Sequence, residues 1–336
     1  MQHIRRRLVH SDTLCCEPIL RRMPNGELLC LCQCEGPKEP HPENRMWAFH
    51  SRDNGETWDV GLRIHPENPR LHSLTECLVL GDVVYGFFLE HDGYLMDMTS
   101  TVLQSTDNGY TWVRSNMMLP YPRYTLYRGA AALDDGNILL PYMHYPVEEA
   151  GVVCRQGQGL YAHEMPYVEN GSVLLAADGH VLSQSQGPVQ IPMPFPGARR
   201  FVWTEPAAFQ APSGEVVMLL RMCDTGILWR TESLDKGMHW APIACTNIPN
   251  PANKVRVIAF DRKEHALLHT PDAKVRFPLA LWVSTDGLRT FSEKHVLSDF
   301  PGTWHYADGF YEDGHVLAVC EYNRRDIIFF DCSMVS

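Results

Sequence analysis

The sequence predicts an all-β chain folded as a six-bladed β-propeller. Three observations carry this: an eight-residue motif that recurs along the chain, six hairpin signals at blade-sized spacing, and no convincing amphipathic helix. The motif S-x-D-x-G-x-T-W is complete at Ser51-Arg52-Asp53-Asn54-Gly55-Glu56-Thr57-Trp58 and at Ser105-Thr106-Asp107-Asn108-Gly109-Tyr110-Thr111-Trp112. A third copy, Ser233 to Trp240, has His239 in place of Thr. A fourth, Ser284 to Phe291, shifts the Gly and ends on Phe. The motif reads as a stapled turn. The Asp side chain accepts hydrogen bonds from its own turn, the Gly supplies positive φ, and the terminal Trp plugs the turn into the blade. Asp53, Asp107, Asp235 and Asp286 are therefore structural.

The hairpin signals are Pro24-Asn25-Gly26, Gly81-Asp82, Asp134-Asp135-Gly136, Pro212-Ser213-Gly214, Asp261-Arg262-Lys263 and Glu312-Asp313-Gly314. Each precedes an apolar run such as Val83-Val84-Tyr85-Gly86-Phe87-Phe88. Their spacing of roughly 50 residues is that of propeller blades. The third interval is longer. It holds Gly171 to Gln184, where Asp178-Gly179 is the candidate for a decayed motif, and a Pro/Gly-rich loop from Gly187 to Gly197. Ile4 to Val9 is expected to close the last blade against Asp326 to Asp331. With 24 Gly and 24 Pro and no linker, residues 1–336 are expected to form one domain of short strands.

The 336 residues are 45% hydrophobic and 21% charged, as in a soluble globular protein. The net charge of -11 argues against a nucleic-acid or anionic-membrane partner, since both need a basic face. The eleven cysteines cannot all pair internally. Cys30, Cys32 and Cys34 alternate like small strand residues, and no CxxC pair or His set has ligand spacing. The expectation is buried thiols, no metal and no cofactor. The first seven residues are charged without an apolar run behind them, so neither signal peptide nor membrane span is expected and the chain reads as cytoplasmic. Arg5-Arg6-Arg7 reads as a solvated strand face.

These repeats resemble the sialidase superfamily, six-bladed propellers whose turns are called Asp boxes or BNR repeats. The likeness is closest to a sialidase-like branch with E-P-x-x-x…G…L-L-R and R-G-A…D-G…L-P-Y segments. Here they read Glu205-Pro206-Ala207…Gly214…Leu219-Leu220-Arg221 and Arg128-Gly129-Ala130…Asp135-Gly136…Leu140-Pro141-Tyr142. The resemblance implies a Tyr nucleophile assisted by a Glu, an acid/base Asp on a loop, and three Arg that clamp a substrate carboxylate. Tyr306, in Trp304-His305-Tyr306-Ala307-Asp308, resembles the nucleophile, Glu205 its partner and Arg221 one clamp Arg. Three departures stand out. Cys16-Glu17-Pro18-Ile19 replaces an Arg-Ile-Pro motif. Asn253-Lys254-Val255-Arg256 occupies the region of the third Arg. The loop from Glu35 to Asn44 holds Glu39 and Glu43 but no Asp. The implied enzyme is sialidase-like rather than an ordinary sialidase.

Blade geometry gives an independent expectation. Residues at one offset before each hairpin should form a ring at one end of the channel. Glu17 and Glu205 precede their hairpin Gly by nine positions, and Arg128 and Tyr306 by eight. Glu76 and Lys254 fall near the equivalent place. These six side chains should face one another and perturb one another's ionisation, as catalytic sites require. Tyr306, Glu205 and Glu17 are the expected catalytic residues, with Glu205 in hydrogen-bond range of Tyr306 as its base. Arg221, Arg128, Glu76, Lys254, Trp203 and Asp308 are expected to bind substrate. Trp203, Tyr127 and Trp304 offer aromatic faces to a sugar. The expected activity is exo-glycoside hydrolysis of an acidic or deoxy sugar terminus. The alternatives are a non-catalytic carbohydrate-binding propeller and a polysaccharide lyase acting on uronic acids. The expected partner in each case is a carbohydrate.

Overall fold

The computed structural model describes residues 1, 3–95, 97–147, 167–192, 203–223, 225–298 and 300–334. Part of the loop from Gly187 to Gly197 lies outside them. Among the described residues there is no helix, and so none long and apolar enough to cross a membrane. The strands form six antiparallel sheets. The first blade is Cys15–Arg22, Leu28–Cys34, Arg45–Ser51 and Leu62–Arg63. The second is Leu71–Leu80, Val83–Glu90, Thr99–Ser105 and Val113–Arg114. The third runs Thr125–Tyr127, Ile138–His144, Tyr167–Leu175 and Val181–Gln184, with Ala131–Ala132 and Val189–Pro192 added to it. The fourth is Ala207–Gln210, Val216–Arg221, Ile227–Ser233 and Ala244–Pro249. The fifth is Arg256–Ala259, His265–His269, Ala280–Ser284 and Glu293–Val296. The sixth takes Trp304–Glu312, His315–Tyr322 and Asp326–Ser333 from the C-terminal part and His3–Ser11 from the N-terminal part. All six expected hairpin turns lie between the first and second strands of a blade.

His3–Ser11 closes the ring in the register Ile4↔Cys332 to Leu8↔Ile328. His3–Ser11 is the outer edge strand of the sixth blade, so N-terminal and C-terminal segments share one four-stranded sheet. The three consecutive arginines are not merely solvated. Arg5 and Arg7 both bind Glu56 of the first repeat, Arg5 also reaches Asp331 at 2.9 Å, and Arg6 donates to Leu297 O at 2.6 Å.

The inner strands are apolar and buried on both faces, so neighbouring blades bury a shared layer. Leu29 and Leu31 of the first blade pack with Leu74 and Phe88 of the second. Val217 and Leu219 of the fourth pack with Val257 and Leu267 of the fifth. Val319 and Phe329 of the sixth pack with Leu20 and Phe49 of the first. The core is thus a ring of interfaces between blades.

The repeated motif forms the stapled turn its residues imply. In the first copy Ser51 Oγ accepts from Gly55 N at 2.8 Å, and Asp53 accepts from Thr57 N at 2.8 Å and Thr57 Oγ1 at 2.6 Å. The other three copies repeat this, with His239 Nδ1 replacing the Thr hydroxyl in one. Each such bond contributes about 0.5–1.5 kcal/mol net. The packing of the terminal Trp is more varied than expected. Trp112 does plug its own blade, edge-on to Phe88 at 5.9 Å, but Trp58 packs against Phe329 of the sixth blade. Each turn docks on the preceding blade: Gly55 on Phe329, Gly109 on Leu29, Gly237 on Leu139 and Gly287 on Ala211. In the fourth copy Leu288 takes the Gly place with φ +62°. Asp178 sits at the equivalent corner of the third blade and keeps only a short turn, accepting from His180 N at 3.0 Å.

Gly55→Ala tests this docking. Its Cβ would strike the Phe329 ring from a backbone at φ +83°. The substitution is expected to lower stability by about 1–3 kcal/mol in denaturant unfolding.

Candidate functional site

The first strands start together at one end of the axis, and three of them break regular geometry there. The pairing registers shift between Cys16 and Ile19, Leu74 and Glu76, and His305 and Asp308. Glu17, Glu205 and Tyr306 have positive φ of 50°, 34° and 50°. Bulges of this kind turn a side chain out of the sheet alternation, and strain of this kind collects at sites. In the third blade the first strand is interrupted between Tyr127 and Ala131, which frees Arg128 to point to the axis. Gly129 permits the break, since a Cβ there would collide with Pro206 O of the fourth blade.

Four of the six ring residues converge at the mouth. Arg128 Nη2 donates to Glu17 Oε2 at 2.9 Å, and its Nη1 lies 3.0 Å from Glu205 Oε1 as an ion pair. Arg221 Nη1 donates both to Glu205 Oε2 at 2.5 Å and to Tyr306 Oη at 3.0 Å. Glu205 and Tyr306 therefore meet through one guanidinium nitrogen. Among the described residues no direct hydrogen bond joins them, contrary to the expectation of direct contact. Asn253 Oδ1 accepts from Tyr306 N at 3.3 Å and holds the strained backbone in place.

Glu76, Lys254 and Asp308 lie on a second, deeper level. Arg21 donates to Glu76 at 2.6 Å and to Asp308 at 2.5 Å. Glu76 also accepts from Ala130 N, and Asp308 from Leu20 N. With Arg128 and Arg256 these residues line a gap of about 10 Å³. That is room for about one water and not for a sugar.

The mouth cavity is about 160 Å³, lined by Glu17, Glu39, Glu205, Arg221, Tyr306 and Arg324 among others. Trp203 lines it too, edge-on to Tyr145 at 5.8 Å. Tyr127 and Trp304 do not reach it. Both are fully buried in the core, and Tyr127 Oη bonds within its own loop. A larger cavity of about 430 Å³ opens at the opposite end, around Arg256, Arg262 and His265, away from Tyr306.

The two mouth carboxyls are driven in opposite directions. Burial pushes Glu17 up to about 7 despite Arg128, with Glu39 and Glu205 adding to the rise. Burial also acts to raise Glu205, but Arg221 and Arg128 outweigh it and hold it below the usual carboxylate range. Burial and the Glu205 charge push the Tyr306 phenol well above its ordinary value. Burial lifts Glu321, behind Glu17, to about 8. Asp308 is held low, because Arg21, Arg256 and Lys254 outweigh its burial. Burial pulls the Lys254 ammonium down.

Several residues here escaped the offset rule. Arg276 lies with its guanidinium 5.8 Å from the Tyr306 ring centroid, close enough for a cation–π contact, and donates to Ala252 O at 2.7 Å. It precedes the third strand of its blade, whereas the rule looked only at first strands. Arg324 binds Glu39 at 2.6 Å from the last inter-strand turn of the sixth blade. Glu39 thus comes from the expected loop into the cavity, while Glu43 stays exposed.

A BNR repeat-like domain family matches residues 83–317. The chain belongs to this BNR repeat-like family. Its sheets are similar to those of solved propellers. A Dyadobacter fermentans protein of unknown function matches at TM-score 0.73 and 15% identity over 100% of both chains. The Hadza microbial sialidase Hz136 matches at TM-score 0.72 and 13% identity over 98% of this chain and 68% of that one. A Trypanosoma rangeli sialidase matches at TM-score 0.64 and 15% identity over 98% of this chain and 56% of its own. At such identities the likeness establishes the BNR-type propeller alone. No curated protein matches the chain.

The raised carboxyls make stability depend on pH. Glu17 and Glu321 keep their protons in the folded state up to about 7 and about 8. Unfolded, they release them near about 4.3. Their contribution is full below the unfolded value and is lost as pH rises through the folded ones. The melting temperature of Glu321→Gln should fall less than that of the parent protein between about pH 5 and about pH 8, by thermal melts across pH.

Proposed function

We propose that this protein is a sialidase-like exo-glycoside hydrolase that receives an acidic or deoxy sugar terminus in the mouth cavity. The observation that carries this reading is the Glu205–Arg221–Tyr306 bridge beside a Glu17 whose ionisation is driven opposite to that of Glu205. Two carboxyls held apart in this way divide into a base and an acid. The cavity is smaller than the range of about 300–1,000 Å³ usual for drug-sized ligands, which suits a single sugar residue.

In the proposed mechanism Tyr306 attacks the anomeric carbon and its phenolic proton passes to Glu205, already ionised. Arg221 steadies the charge that develops on the phenol oxygen. Glu17 gives its proton to the leaving oxygen as the glycosidic bond breaks. Water then releases the sugar from Tyr306, Glu17 takes the water's proton, and Glu205 returns the phenolic one. Glu205 is a poor nucleophile in its own right because both its oxygens face guanidinium groups. A phenol also avoids the repulsion between a carboxylate and an anionic sugar. Arg276, beside the Tyr306 ring, contacts His305 Nδ1 and Ala252 O and has no carboxylate within ion-pair distance among the described residues; it is the cation assigned here to an anionic substituent.

A panel of aryl-glycosides and uronide oligosaccharides tests the reading. Released aglycone supports it. An unsaturated product would identify a lyase instead, and binding without turnover a lectin-like propeller. Tyr306→Phe is expected to lower kcat by about 10²- to 10⁴-fold with the melting temperature nearly unchanged. Full activity in that variant would remove Tyr306 from the mechanism. The pH–rate profile should fall as pH rises through about 7, where Glu17 loses its proton, and Glu17→Gln should abolish that limb.

A further inference from the structure

Away from the axis, the closing strand and the first blade bring together a group of metal-ligating side chains. His10 comes from His3–Ser11, Cys15 opens the first strand of the blade and Cys34 ends the second. One ligand atom from each lies within 4.8 Å of the other two. Cys15 and Cys34 are cross-strand partners with sulfurs 3.6 Å apart, and Cys32 Sγ is 3.6 Å from Cys34 Sγ. Tetrahedral zinc with Zn–S bonds of about 2.3 Å sets its sulfur ligands about 3.8 Å apart. The ring closure supplies the imidazole. The register shifts between Leu8 and His10, and His10 stacks on Phe49 at 4.6 Å. Both sulfurs are fully buried, among Val9, Leu20 and Phe49.

We propose that His10, Cys15 and Cys34 bind a thiophilic divalent cation, Zn²⁺, with the fourth position open to Cys32 or water. Binding releases two thiol protons to solvent. The resulting set of one dication and two thiolates is electrically neutral, as an apolar setting requires. The spacing 10, 15 and 34 contains no CxxC pair, so the site is visible only once the ring closes.

The position gives the ion a structural task. Cys15 lies two residues before Glu17, and its N–H donates to Arg324 O at 3.1 Å. Cys34 adjoins the loop that carries Glu39 into the mouth. One ion would pin the closing strand to both chain segments that deliver these carboxyls.

The test uses the full chain, reduced and stripped of metal, titrated with Co²⁺ and then with Zn²⁺. The expected result is one equivalent of Co²⁺ with a thiolate-to-cobalt charge-transfer band that Zn²⁺ displaces, and a melting temperature raised by Zn²⁺. Cys34→Ser and His10→Ala should weaken binding at least tenfold, and Cys245→Ser, an exposed thiol in the fourth blade, should leave it unchanged. Absence of the band in the parent protein, or undiminished binding in both ligand variants, overturns the proposal. So does a Cys15–Cys34 disulfide in protein purified without added oxidant that takes up no metal.

Discussion

The buried guanidinium of Arg128 lies between Glu17 of the first blade and Glu205 of the fourth, and Arg221 continues the chain of charge to Tyr306 of the sixth. Four blades therefore depend on two cations. In so dry a place the attraction is strong, but each ion has also lost its water, so removing one charge leaves its partner buried and unpaired. Most of these groups stand in or just before the first strands, and Arg221 at the end of a second strand. The same network explains how two glutamates a short distance apart differ in proton affinity. Glu205 faces two guanidinium groups, whereas Glu17 shares one and looks toward Glu39 and Glu205.

Much of the fold was legible because its signals are local. A turn that needs Ser, Asp, Gly and Thr at fixed offsets leaves those letters in the sequence, and four copies with six hairpins define six blades. The closing strand was legible too, as the segment Ile4 to Val9 set against Asp326 to Asp331. The offset rule gathered Glu17, Arg128, Glu205 and Tyr306 correctly in space. It failed to separate the two levels, because a one-residue bulge decides whether a side chain faces the mouth or the interior. Glu76 and Asp308 face the interior, where Arg21 binds both. Arg276, Arg324 and the His10–Cys15–Cys34 group were not legible, since they come from third strands, outer turns and the ring seam.

The departures from local preference are informative. Leu288 accepts a left-handed backbone where the other repeats use Gly, and its buried side chain fills the neighbouring interface. Packing offsets backbone cost there. At Glu17, Glu205 and Tyr306 the same left-handed backbone yields no comparable apolar packing. It aims three polar side chains into one cavity, which is the pattern expected where geometry serves chemistry rather than stability.

The deeper level has a further effect. Thr75 borders both the mouth cavity and the water-sized gap beneath it, and Arg256 borders both that gap and the large cavity at the far end. Between the two cavities the axis narrows to this gap of about 10 Å³, bordered by Glu76, Lys254 and Asp308. For the proposed hydrolase this means that a glycan strand would not thread along the axis and that only a chain end would enter the mouth. On that reading the incoming chain end and the released sugar would share one doorway.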